Sequence, residues 1–135
     1  GIKFASGLER YMYMALKKAK IKAKYEGQTF ELIPSFEFDL ESIERQSNGK
    51  GEYKNRGNKK ILNIKYTPDF IGKDFIIETK GRANESFPIR CKLFKRKRIE
   101  NNFITQSPTN YTLYKPQNQK ECDETIRLIL LKQNT

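Results

Sequence analysis

Asp69, Glu78 and Lys80 are the residues of this chain whose types and spacing could do chemistry. All three lie in one stretch, YTPDFIGKDFIIETKG, from Tyr66 to Gly81. The run Phe75 to Lys80 reads as a strand, in which alternate residues share a face. Glu78 and Lys80 then lie on one side, about 6–7 Å apart along the chain, with Phe75, Ile77 and Thr79 on the other. Asp69 enters from a preceding strand behind Pro68, a residue that suits a sheet edge or a break in pairing. Two carboxylates converging there can hold a hard divalent cation such as Mg²⁺, and the Thr79 carbonyl can add a third protein ligand. A neighbouring lysine can hold or deprotonate a water and stabilise charge at phosphorus. That set suits phosphodiester hydrolysis. The plainer alternative is a strand ending in an exposed ion pair. Asp74 competes with Asp69, because the hairpin register is not readable from the sequence.

The overall charge points to a matching substrate. Lys and Arg outnumber Asp and Glu by 27 to 16 in 135 residues, for a formal net charge of +11. A small domain this basic calls for a polyanion, with nucleic acid ahead of an anionic membrane surface. No apolar run approaches the ~18 residues of a membrane span, and no signal peptide is visible, so a cytoplasmic protein is expected. Histidine is absent and the two cysteines, Cys91 and Cys122, have no zinc spacing, which excludes the usual zinc sites and every histidine-dependent triad. Catalysis, if present, falls to carboxylates, lysine and a hard metal.

The elements that must position these groups follow from periodicity. Ser6-Gly7-Leu8-Glu9 is a capping-box pattern and should open a helix running to about Lys20. Leu8, Met12, Ala15, Leu16 and Ala19 make its apolar stripe. Glu9 borders that stripe, so it is either a cap residue alone or a carboxylate looking across the core boundary. Thr29 to Phe38 reads as one or two strands interrupted at Pro34. Glu44 to Lys60 is polar and Gly/Asn-rich, and is expected to be a mobile basic loop. Lys59 to Phe70 and Phe75 to Lys80 read as strands joined by a turn. A helix with Pro88 in its first turn follows, carrying six cations between Arg90 and Arg98. Lys92, Lys95 and Arg96 fall on one face of it and are expected to meet phosphates, unless the run is a solvated face. A strand over Asn110 to Pro116 and a final helix with Cys122, Ile126, Ile129 and Leu130 inward complete one α/β domain over residues 1–135. Its expected architecture is a central mixed sheet flanked by helices.

The motifs SGLE opening a helix, YTPDF and IETKG together resemble the PD-(D/E)XK nuclease superfamily, and more closely the phage endonuclease I type of Holliday-junction resolvase. The resemblance spans about Ser6 to Arg98. It implies a restriction-endonuclease-like fold and a Mg²⁺- or Mn²⁺-dependent endodeoxyribonuclease, a homodimer acting on branched DNA in a host cytoplasm. Asp69 and Glu78 would bind metal, Glu9 would assist a second metal or its water, and Lys80 would orient the nucleophile. Arg82, Lys92, Lys95 and Arg96 would contact DNA. The polar stretch before Asp69 looks like an insertion relative to that family. A nuclease for unbranched duplex DNA and a non-catalytic basic DNA-binding module remain the alternatives.

Overall fold

A computed structural model describes residues 2–80, 87–105 and 111–134, with only the backbone described at 101–105. Contacts divide the chain into two compact units, Gly1–Phe30 with Tyr66–Thr135, and Glu31–Lys65.

The first unit begins with α1 (Gly7–Lys18), capped by Ser6, whose Oγ accepts from the Glu9 amide at 3.2 Å. The helix ends in a Schellman turn: Lys20 donates to the Lys17 carbonyl and Ile21 to the Leu16 carbonyl, both at 3.0 Å. Lys20 takes the left-handed position there, with φ of 58°, and Ile21 drops into the core. The sheet is built from β1 (Lys24–Tyr25), β8 (Phe70–Ile71), β9 (Phe75–Ile77) and β10 (Thr112–Tyr114), in that order. β1, β8 and β9 are antiparallel neighbours, and β10 runs parallel to β9. The sheet is therefore mixed. α2 (Phe87–Thr105) leads into β10, and α3 (Gln119–Gln133) follows it.

Period-two alternation on β9 gives the sheet two different faces. Phe75 and Ile77 join Met12, Leu16, Ile21, Phe70, Cys122 and Ile129 in one core cluster, so α1 and α3 cover that side. Tyr66 stacks edge-on against Phe94 of α2, with ring centroids 5.1 Å apart, and Phe94 meets Phe30 at the same separation. Among the described residues of α2, Cys91 and Phe94 are buried. Thr125 joins the buried residues of α3, an unexpected polar member whose Oγ1 donates back to the Glu121 carbonyl at 2.8 Å.

Gly72 and Phe75 close a two-residue turn over Lys73–Asp74, with Gly72 N donating to the Phe75 carbonyl at 2.9 Å. A Cβ at Gly72 would come within 2.3 Å of the Phe75 ring, so this tight hairpin needs glycine.

In the second unit the strands are short. β3 (Phe36–Phe38) pairs with β6 (Lys59–Ile61), and β4 (Ile43–Glu44) with β5 (Lys54–Asn55), all antiparallel. β2 (Phe30–Ile33) pairs with β7 (Ile64–Tyr66), where the chain enters and leaves the unit. The stretch expected to be a mobile loop over 44–60 thus carries ladder pairing. Its hairpin is closed by Gln46 donating to Lys50, with Gly49 and Gly51 at positive φ. No apolar period announces such a hairpin, because most of its side chains are exposed. Among the described residues no helix is long and apolar enough to cross a membrane.

Candidate active site

Register decides which acids meet. β8 and β9 pair Phe70 with Ile77 and Ile71 with Ile76. One further step places Asp69 opposite Glu78, just beyond the last paired residues. Asp74 lies in the turn at the other end of β9, exposed, so Asp69 is the acid that faces Glu78. Backbone bonds pin the other edge: Glu78 N donates to the Tyr114 carbonyl at 2.9 Å and Lys80 N to the Pro116 carbonyl at 3.0 Å.

Each acid is held by specific donors. Asp69 Oδ2 accepts from the Thr79 amide at 2.8 Å and from Thr79 Oγ1 at 2.7 Å. Glu78 is only 5% exposed. Its Oε1 accepts from the Tyr66 hydroxyl at 2.8 Å, and its Oε2 lies 3.6 Å from Lys80 Nζ. The Lys80 ammonium also sits 4.8 Å from the Phe87 ring centroid. Glu9, 6% exposed on α1, accepts from Tyr25 OH at 2.7 Å on Oε1 and from Ser6 Oγ at 3.0 Å on Oε2. Glu9 is therefore more than a cap residue, because its carboxylate is turned into the core boundary.

Burial and the facing Glu78 carboxylate push the Asp69 carboxyl up from 3.8 to about 7, with Glu9 adding to the rise against the two Thr79 hydrogen bonds. Glu78 is also raised, by burial, while Tyr66 and Lys80 pull it down. Tyr66 is raised by burial and by the charge of Glu78, so it stays a protonated donor. Two acids that resist ionising side by side favour a shared cation or a shared proton.

The structure brings together Asp69, Glu78, Thr79 and Lys80, and sets Glu9 within electrostatic reach of Asp69. Among the described residues no group of three or more acid, His or Cys side chains is placed to hold a metal, so Glu9 does not complete a set with the pair. Thr79 contributes its amide and hydroxyl as supports for Asp69, a role separate from the carbonyl ligand expected of it. Lys92, Lys95 and Arg96 are exposed on α2. Arg96 bonds Glu100 at 2.7 Å, whereas Lys92 and Lys95 line a concavity together with Lys80 and Lys115. Arg82 lies outside the described residues. Sequence reasoning missed Tyr66, Tyr25 and Lys115. Tyr66 stood within the motif stretch itself, but Tyr25 carries no local signal.

Fold and site define an α/β protein whose mixed sheet presents a pair of buried acids beside a lysine. The chain belongs to the family described as Protein of unknown function (DUF1064), which matches residues 1–112. That span contains Glu9, Asp69, Glu78 and Lys80. No curated protein and no solved structure matches the chain.

Proposed function

We propose that this protein is a metal-dependent endodeoxyribonuclease with a restriction-endonuclease-like fold. One observation carries the reading. Asp69 and Glu78 face each other across the end of β8 and β9, both pushed toward protonation, with Lys80 Nζ 3.6 Å from Glu78. Such a pair offers hard oxygen donors, and a cation between them would offset their repulsion. Asp69 and Glu78 are the residues that would hold Mg²⁺ or Mn²⁺. When bound, the ion would stabilise charge on the phosphodiester and lower the pKa of a water.

The chain's own groups do the positioning. Thr79 fixes the Asp69 carboxylate with two donors, and Tyr66 leaves Glu78 one oxygen facing Lys80. Lys80, braced on Phe87, is placed to orient a water or to stabilise phosphoryl oxygens. Glu9, held by Ser6 and Tyr25, adds negative field at Asp69 and so strengthens its demand for a cation. The net charge of +11 supplies the attraction for a polyanion.

A supercoiled plasmid nicking assay in Mg²⁺ tests the proposal. Asp69→Asn, Glu78→Gln and Lys80→Ala should each abolish nicking while DNA affinity stays near wild type, and Asp74→Asn should be harmless. Binding without any Mg²⁺- or Mn²⁺-dependent nicking would favour a non-catalytic DNA-binding module. Within the nuclease reading we propose a homodimer acting on branched DNA. Resolving a four-way junction needs two nicks in opposed strands, which two-fold symmetry supplies. Light scattering near twice 15.9 kDa and faster cutting of a four-way junction than of its duplex arms are expected. A monomer cutting both equally would leave only a nuclease for unbranched duplex DNA.

A further inference from the structure

The parallel ladder between β9 and β10 ends one residue before Glu78. It pairs Leu113 with Ile76 and Tyr114 with Ile77, and the Glu78-to-Tyr114 and Lys80-to-Pro116 hydrogen bonds continue it. Lys115 is therefore the neighbour of Glu78 on the side away from Asp69. Three adjacent chain positions read Asp69, Glu78, Lys115 across the sheet. Lys115 Nζ stands 4.0 Å from the buried Cys91 Sγ, which seats it at the base of α2.

Lys115 lines a concavity of about 360 Å³ with Lys80, Lys92, Lys95, Phe87 and Gln117. Four lysines thus line one cleft. Among the described residues the only carboxylate ion-paired with any of them is Glu78, on Lys80. The first turn of α2 forms part of the wall and carries no acidic residue, so the positive end of that helix adds to the field. Like charges gathered this way repel until an anion enters, and Lys80 is common to the cleft and to the acid pair.

We propose that this cleft binds a backbone phosphate of the DNA strand beside the bond presented to Asp69 and Glu78, with Lys115, Lys92 and Lys95 as its phosphate-binding residues. Its position next to the cut bond rests on the nuclease reading; its affinity for phosphate does not. Arg96, paired with Glu100, is left out of the contact.

The experiment uses the full chain carrying Glu78→Gln, without divalent metal, and follows binding of a labelled DNA duplex by fluorescence anisotropy across salt concentrations. Replacing Lys92 and Lys115 by Ala should flatten the slope of log K against log salt by about 0.9, the value for the one phosphate contact the cleft makes. Lys92→Arg with Lys115→Arg should restore it. Lys17→Ala with Lys18→Ala, equal in charge removed, should change it less. A cleft variant indistinguishable from that control overturns the proposal. So does inorganic phosphate binding that Lys115→Ala abolishes while DNA affinity is unchanged. Nicking by the unsubstituted protein in Mg²⁺ is scored separately. Loss of that activity with the slope effect intact would remove the nuclease reading and leave the phosphate cleft standing.

Discussion

Replacing Asp69 by Asn should stabilise the metal-free protein at alkaline pH and do almost nothing in acid. The folded carboxyl is raised from 3.8 to about 7, so the native state binds its proton more tightly than the unfolded chain does. Stability is therefore lost as pH climbs from about 4 to 7, and the full cost is present above that window. At 1.36 kcal/mol per pH unit the interval amounts to about 4 kcal/mol. Asp69 is not fully buried, and solvent screening reduces the figure to about 2 kcal/mol. Asn cannot ionise, yet its side-chain oxygen can still accept from the Thr79 amide and hydroxyl. Thermal unfolding in EDTA should show the variant about 8 °C more stable at pH 8, at roughly 4 °C per kcal/mol for a chain of this size. The two curves should converge near pH 4. Adding Mg²⁺ at pH 8 should raise the wild-type midpoint and leave the variant's almost unchanged, since binding only the native state stabilises it. An Asn variant less stable by the same amount at both pH values would refute the reasoning. Asp69 would then be an ordinary hydrogen-bonded structural group.

Tyr66→Phe removes the donor to Glu78 Oε1 and should cost about 1.5–3 kcal/mol in urea unfolding at neutral pH, as for a lost hydrogen bond to a charged group. Gly72→Ala drives a methyl into the Phe75 ring and should destabilise by about 1–3 kcal/mol, with altered aromatic circular dichroism as Phe75 shifts. Lys20→Gly relieves a non-glycine residue in the left-handed position that closes α1 and should raise stability by about 0.5–1 kcal/mol in the same assay. A loss there would mean that the Lys20 side chain contributes more than its backbone costs.

Local chemistry determined much of this protein from the sequence alone. Ser6 and Glu9 start α1 because a side-chain oxygen three residues before a free amide caps it wherever the helix packs. The pairing of Glu78 with Lys80 was readable for a similar reason: alternation puts them on one side, and they are 3.6 Å apart as ionic partners, although the strand expected to run to Lys80 ends at Ile77. Pro34 separated β2 from β3 because it lacks a ladder donor. Tertiary structure alone decided which acid faces Glu78, since a two-residue turn over Lys73–Asp74 sets the register and removes Asp74 to the far end. It also decided that Lys59 to Phe70 breaks into three strands, each paired with different neighbours, and that a polar run folds into the β4–β5 hairpin. Tyr25 and Tyr66 reach the site from other strands, and Lys115 from just past the end of β10. Such long-range pairings leave no periodic trace in the chain, because a side chain's partner across a sheet depends on register and strand order rather than on its own neighbours in sequence.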